Sequence, residues 1–180
     1  MLHQILMLCQ VSGPMGTGKS NLVKDILENS LEICDDENAK RKVIIYCYNT
    51  AIPEKVAVSC PLMLHKGIPT IEEILDIKNK KKFTSIDLVF DDLMYSVTNS
   101  KTTGKKANQT LVELWTDVSR KQNINVIFSL QELFLTGRAA FDIRTILKNS
   151  CYVIIFPFPG DILSVRRYFR KVWFKSLNHR

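Results

Sequence analysis

Along this chain, blocks of consecutive apolar residues alternate with stretches in which apolar residues recur every three or four positions. Gln4–Val11, Val43–Tyr48, Ile86–Phe90, Asn125–Leu130 and Tyr152–Pro157 are the nearly uniform apolar blocks. A strand that is apolar on both sides is one buried on both faces, so these five predict a parallel sheet covered by helices. Between the first two, Ser20–Ser30 carries Val23, Ile26 and Leu27 at helical spacing. Thr70-Ile71-Glu72-Glu73 has the form of a capping box that opens a short helix. Thr110-Leu111-Val112-Glu113 opens another, with Leu111, Leu114, Trp115 and Val118 on one stripe. Asp142–Asn149 reads as a helix before the fifth strand. Asp161 caps a last helix, with Ile162, Val165, Phe169 and Val172 facing inward and Arg166, Arg167 and Arg170 facing out. Strand and helix alternating in this way predict an α/β fold of three layers, α/β/α. With no internal repeat and no Pro/Gly-rich linker, residues 1–180 are expected to form a single domain.

Composition narrows this picture without redirecting it. The 180 residues are 46% hydrophobic and 24% charged, the proportions of an ordinary globular protein with a real core. No apolar run is long enough to span a membrane, so no membrane role is expected. The N-terminal apolar stretch lacks a basic flank and runs straight into a glycine-rich loop, unlike a signal peptide. The five cysteines are odd in number, scattered and free of any C-x-x-C pair, and three lie in apolar strand-like runs. They point to an intracellular, reducing compartment and away from a metal site.

Charge adds a candidate partner. The net charge of +7 is concentrated in Lys78, Lys80, Lys81 and Lys82, in Lys101, Lys105 and Lys106, and in Arg166, Arg167, Arg170, Lys171 and Lys175. A basic surplus of this kind favours a polyanion such as nucleic acid, although a solvated surface accounts for any single cluster equally well. The middle cluster lies in Asn99–Gln109, the one long polar loop, which follows the third predicted strand.

The strongest chemical signal is Gly13-Pro14-Met15-Gly16-Thr17-Gly18-Lys19-Ser20, a complete G-x-x-x-x-G-K-[ST] loop between the first strand and the first helix. Its glycines let the backbone turn N–H groups onto a β-phosphate. Lys19 reaches the β- and γ-phosphates, and the Ser20 hydroxyl completes the shell of a Mg²⁺ ion. The loop therefore implies binding of a nucleoside triphosphate, with ATP and Mg²⁺ as the expected ligands.

A second constellation supports hydrolysis. Leu88-Val89-Phe90-Asp91-Asp92 is an apolar strand ending in two carboxylates. Asp91 would hold the Mg²⁺ shell, and Asp92 would orient or deprotonate the attacking water. A whole strand, Val43–Tyr48, separates the two motifs, as in the additional-strand class of P-loop ATPases. Gln131, at the tip of Val126-Ile127-Phe128-Ser129-Leu130-Gln131, stands where it could sense the γ-phosphate or position water.

These stretches, in their order, resemble the genome-packaging ATPases of Polinton/Maverick elements and large DNA viruses, including the poxvirus type, within the FtsK–HerA superfamily. The resemblance begins with the phosphate loop and Val-Phe-Asp-Asp-Leu-Met. It runs on through Ser119-Arg120-Lys121-Gln122-Asn123-Ile124-Asn125-Val126-Ile127-Phe128, Gln131-Glu132-Leu133-Phe134 and Arg144-Thr145-Ile146-Leu147-Lys148-Asn149. It closes with Tyr152-Val153-Ile154-Ile155-Phe156 and Pro157-Phe158-Pro159-Gly160-Asp161, so that it covers about residues 8–165. Relatives usually have Arg-His in place of Arg120-Lys121, Thr-Gln in place of Leu130-Gln131, Asn in place of Glu132 and Arg-Asp in place of Gly160-Asp161. They also run on past the last helix with a further strand. A fragment, a short variant and a divergent copy all fit a chain that ends at Arg180.

The resemblance implies a strand order of 5-1-4-3-2 for the five predicted strands, which puts the three motifs at the carboxyl edge of neighbouring strands. It implies an ATPase that moves double-stranded DNA, a homo-oligomeric ring, and a capsid or portal-vertex protein as partner. The expected location is the host nucleus or a viral assembly site. In such rings an arginine from the neighbouring subunit completes each site. Arg120 matches the family's arginine before its sensor strand and is the first candidate, Arg144 is the second, and Arg138 reads as a loop cation. Two other readings remain open on the residues alone: a nucleotide or nucleoside kinase, and a nucleotide-gated module without turnover.

Overall fold

The computed structural model describes residues 7–29, 41–49, 56–93, 109–131 and 145–157, together with positions 162–163, 165–166 and 169–170 of the last helix. Six strands make one sheet: β1 (Leu8–Ser12), β2 (Lys42–Tyr48), β3 (Leu62–Lys66), β4 (Ser85–Phe90), β5 (Ile124–Leu130) and β6 (Tyr152–Ile155). Their order is β3-β2-β4-β5-β1-β6, and every neighbouring pair is parallel. The α/β class holds, and the five predicted strands follow one another as 5-1-4-3-2. The sheet nonetheless has a sixth strand, β3, which the sequence reading omits. Leu62–Lys66 lies at the sheet edge with its residues half-buried or exposed, so it lacks the continuous apolar run that marks the interior strands.

The helices are α1 (Lys19–Glu28), α2 (Ile71–Lys80), α3 (109–122) and α4 (145–149), with the last helix beyond them. Alternate strand residues point to opposite faces. On one face, Cys9, Val11, Ile44, Tyr46, Val89 and Ile127 pack against Val23 and Leu27 of α1. On the other, Val43, Ile45, Leu88, Phe90, Val126 and Phe128 pack against Ile74 of α2, Leu111, Leu114 and Trp115 of α3, and Ile146 of α4. The result is the expected three layers. Among the described residues no helix is long and apolar enough to cross a membrane.

Local chemistry explains the helix ends. Thr70 caps α2 as a full capping box: Thr70 Oγ1 accepts from the Glu73 amide at 3.2 Å, and Glu73 Oε2 accepts from the Thr70 amide at 2.7 Å. Thr110, by contrast, opens nothing, because Gln109 before it is already helical and Thr110 itself is buried. Within α3, Leu114–Val118 form a π-helical turn, and Ser119 donates from Oγ to the Leu114 carbonyl at 2.6 Å.

Two predicted burial patterns are corrected at the β6 edge. Tyr152 is half exposed and the rest of β6 only half-buried; among the described residues this strand has a neighbour on one side alone. Ile162 and Phe169 are exposed at 65% and 52%, yet with Val165 they line a groove against Val153, Ile155 and Phe156, so the stripe faces the sheet as its spacing predicts but is less covered than a core stripe. Arg166 and Arg170 are exposed as expected, and Arg167, Val172 and Asp161 lie outside the described residues. The cysteines also divide. Cys9 and Cys47 are buried, and burial pushes both thiols up, Cys9 to about 11, while Cys151 is exposed.

A charged cluster lies inside the sheet. Lys42 of β2 pairs with Asp87 of β4 at 2.6 Å, both side chains almost fully buried. Asn125 of β5 donates to the other Asp87 oxygen at 2.8 Å and accepts from the Met7 amide at 2.9 Å. These residues tie the amino-terminal halves of three adjacent strands together.

Candidate active site

The amino end of the loop is fixed by close packing. Gly13 follows β1, donates its amide to the Leu130 carbonyl at 3.1 Å, and lies so near Phe156 that an added Cβ would come within 2.5 Å of that side chain. Gly18 then adopts φ 92°, a left-handed turn open to glycine, and α1 begins at Lys19 without a side-chain cap. The first amides of α1 thus lack intrahelical partners and face the loop, an arrangement suited to an anion.

β4, β5 and β1 are adjacent, so parallel pairing delivers their carboxyl ends side by side. There Met15, Gly16, Gly18, Lys19, Ser20, Asn21, Asp91, Asp92, Ser129, Leu130 and Gln131 line a cleft of about 310 Å³. The loop is internally braced: Thr17 Oγ1 and Lys19 Nζ each donate to the Pro14 carbonyl at 2.8 Å. Burial lowers the Lys19 pKa, and the charges of Asp91 and Asp92 pull it back up.

The two carboxylates have different surroundings. Asp91 Oδ2 accepts from Ser20 Oγ at 3.1 Å and from the Tyr46 hydroxyl at 2.6 Å. Burial pushes the Tyr46 phenol far up, with Asp91 adding to the shift, so it stays a neutral donor. Asp92 takes a left-handed backbone, φ 52°, which a short polar residue tolerates, and its Oδ1 accepts from Gln131 Nε2. Its other oxygen takes no hydrogen bond among the described residues.

Of the sequence-predicted site residues, Gly16, Gly18, Lys19, Ser20, Met15, Asp91, Asp92 and Gln131 line this cleft, and Gly13, Pro14 and Thr17 build the loop behind it. Arg120 is elsewhere. It is exposed near the end of α3, before β5, whereas Gln131 follows that strand. Seven strand residues at about 3.3 Å each put roughly 20 Å between the two positions. Arg120 therefore does not serve the cleft of its own chain; its exposed position fits a surface cation or a group presented to a neighbouring copy. Arg138, Arg144, and Lys101, Lys105 and Lys106 lie outside the described residues.

Tyr46 is the partner that sequence reasoning misses. The one signal was an aromatic hydroxyl within an otherwise apolar strand, since a buried phenol needs an acceptor.

The hard oxygen set of Ser20 and Asp91 fits Mg²⁺, which takes one or two protein oxygens and completes its shell with water and phosphate. Among the described residues no three His, Cys, Asp or Glu side chains gather to hold a metal by themselves.

No family model matches the chain, and no curated protein sequence matches it. Among solved structures, the cytoplasmic domain of EssC is similar to 87% of this chain with a TM-score of 0.56 at 12% identity. The Legionella pneumophila ATPase DotB aligns over 88% of the chain at 14% identity, with a TM-score of only 0.35. The chain spans about a third of each, 32% and 36% of their lengths. At such identities the likeness to EssC is one of fold. With the glycine-rich loop between β1 and α1 and the parallel sheet order around it, the chain has the α/β/α fold of the P-loop NTPases.

Proposed function

We propose that the protein hydrolyses ATP to ADP and phosphate and uses the reaction to move double-stranded DNA. The observation that carries the hydrolytic part is the convergence of Lys19, Ser20, Asp91, Asp92 and Gln131 on one cleft. In this reading the loop amides and the Lys19 ammonium bind the β- and γ-phosphates, Lys19 exchanging its bond to the Pro14 carbonyl for phosphate oxygen. Ser20 and Asp91 would hold Mg²⁺, which when bound neutralises charge on the β- and γ-oxygens. Gln131 fixes one oxygen of Asp92, and the free oxygen takes the proton of a water attacking the γ-phosphorus. The ADP–phosphate bond breaks as the new P–O bond forms.

The DNA substrate, the ring and a capsid or portal partner rest on the resemblance of the ordered motifs to genome-packaging ATPases, with the net charge of +7 in support. In that ring Arg120 would reach the neighbour's γ-phosphate, and Lys101, Lys105 and Lys106 would touch DNA phosphates without reading bases. The test is phosphate release from ATP, with and without duplex DNA, beside phosphate transfer to nucleosides. We expect release that duplex DNA stimulates and no transfer. Transfer to a nucleoside would make the protein a kinase, and ATP binding without release at any protein concentration would make it a non-catalytic module.

A further inference from the structure

We propose that Tyr46 is a positioning residue for the divalent cation, acting through Asp91; this rests on the nucleotide reading of the cleft. The ring of Tyr46 is 3% exposed and sits in the core between the sheet and α1, where phenylalanine would fill the same space. What phenylalanine lacks is the hydroxyl, and burying one without a partner costs free energy. That hydroxyl donates to Asp91 Oδ2 at 2.6 Å, across from β2 to the end of β4. Tyr46 does not line the cleft, so its effect there passes through the carboxylate.

The geometry gives that effect a direction. Asp91 Oδ2 already accepts from Ser20 Oγ on α1, so Tyr46 is the second donor to a single oxygen. Two donors from different elements hold the carboxylate in one rotamer. Asp91 Oδ1 takes no hydrogen bond among the described residues and is the oxygen left for a cation or its bound water. Without the phenol, Ser20 alone would hold the carboxylate. A single hydrogen bond leaves the carboxylate free to turn about it, and Asp91 Oδ1 then no longer faces the cation from a fixed position. Hydrogen-bond partners behind a metal ligand are commonly worth about 10–100-fold in metal affinity.

The experiment is equilibrium binding of a fluorescent ATP analogue to the full chain, titrated with Mg²⁺ and repeated in EDTA, for wild type and Tyr46→Phe. The expected result is a Mg²⁺ half-saturation raised about 10-fold or more in Tyr46→Phe, with affinity in EDTA unchanged. In an Asp91→Asn background, Tyr46→Phe should then shift the Mg²⁺ curve no further. Superimposable Mg²⁺ curves would overturn the inference and leave the nucleotide reading standing. An equal loss of affinity with and without Mg²⁺ would overturn it too, since Tyr46 would then support the loop as a whole. Wild type that binds no nucleotide in either condition would remove the reading of the cleft and the inference with it.

Discussion

Asp91 and Asp92 are adjacent and chemically identical, yet their surroundings separate them. The first is held from behind by Tyr46 and Ser20, the second by Gln131 on the cleft side. That difference assigns the first to charge-holding and the second to proton transfer in the proposed reaction. Asp92→Asn should therefore bind ATP as wild type does and hydrolyse it at least ~100-fold more slowly, the scale of a lost acid–base group. Lys19→Ala should fail at the earlier step and lose tight ATP binding, since Lys19 is the cation that lines the cleft. Nucleotide titration beside single-turnover hydrolysis distinguishes the two, and near-normal turnover by Asp92→Asn would move the base elsewhere.

At the scale of the elements, the sheet carries its site because β4, β5 and β1 lie in register with their ends level. Asp87 stands opposite Ile44 on one side and Asn125 on the other. The buried Lys42–Asp87–Asn125 group can be satisfied only in that register, because a slip by one residue would send each side chain to the opposite face. Asp87→Ala leaves the Lys42 charge buried and unpaired and should cost ~3–5 kcal/mol of stability. Replacing both partners by apolar residues, Lys42→Met with Asp87→Leu, should cost much less. Urea unfolding of the three variants measures this, and equal losses in the single and double variants would mean that pairing is not what Asp87 contributes.

At the scale of the whole molecule, the cleft is at one edge of the sheet and Arg120 at the other. A chain built this way can bring Arg120 to a phosphate only through a second copy. If it does, Arg120→Ala should abolish hydrolysis and spare ATP binding. Mixing Arg120→Ala with Asp92→Asn should restore part of the activity, because some mixed pairs combine an intact Asp92 with a neighbour's intact Arg120. No recovery in any mixture, with the two variants shown to co-assemble, would remove Arg120 from the site.

The interior strands were legible in the sequence because burial on both faces demands unbroken apolar runs, and β2, β4 and β5 carry them. The loop and α2 were legible for a similar reason. Gly16, Gly18 and the Thr70–Glu73 box encode backbone geometry within a few residues of themselves. β3 and β6 were not so marked: an edge strand has one sheet neighbour, and its residues need not all be apolar, so β3 went unseen and β6 was expected to be more buried than it is. The incomplete cover of Ile162 and Phe169 shares that cause, because helical spacing gives a stripe but not how much lies against it. Sequence alone determined which residues could bind phosphate and which could end a strand in carboxylates. Only the tertiary structure decided that Tyr46 stands behind Asp91, that Gln131 holds Asp92, and that Arg120 faces away. Each of these depends on which strands are neighbours and which edge their ends share, and contacts between residues far apart in the chain leave no spacing to read.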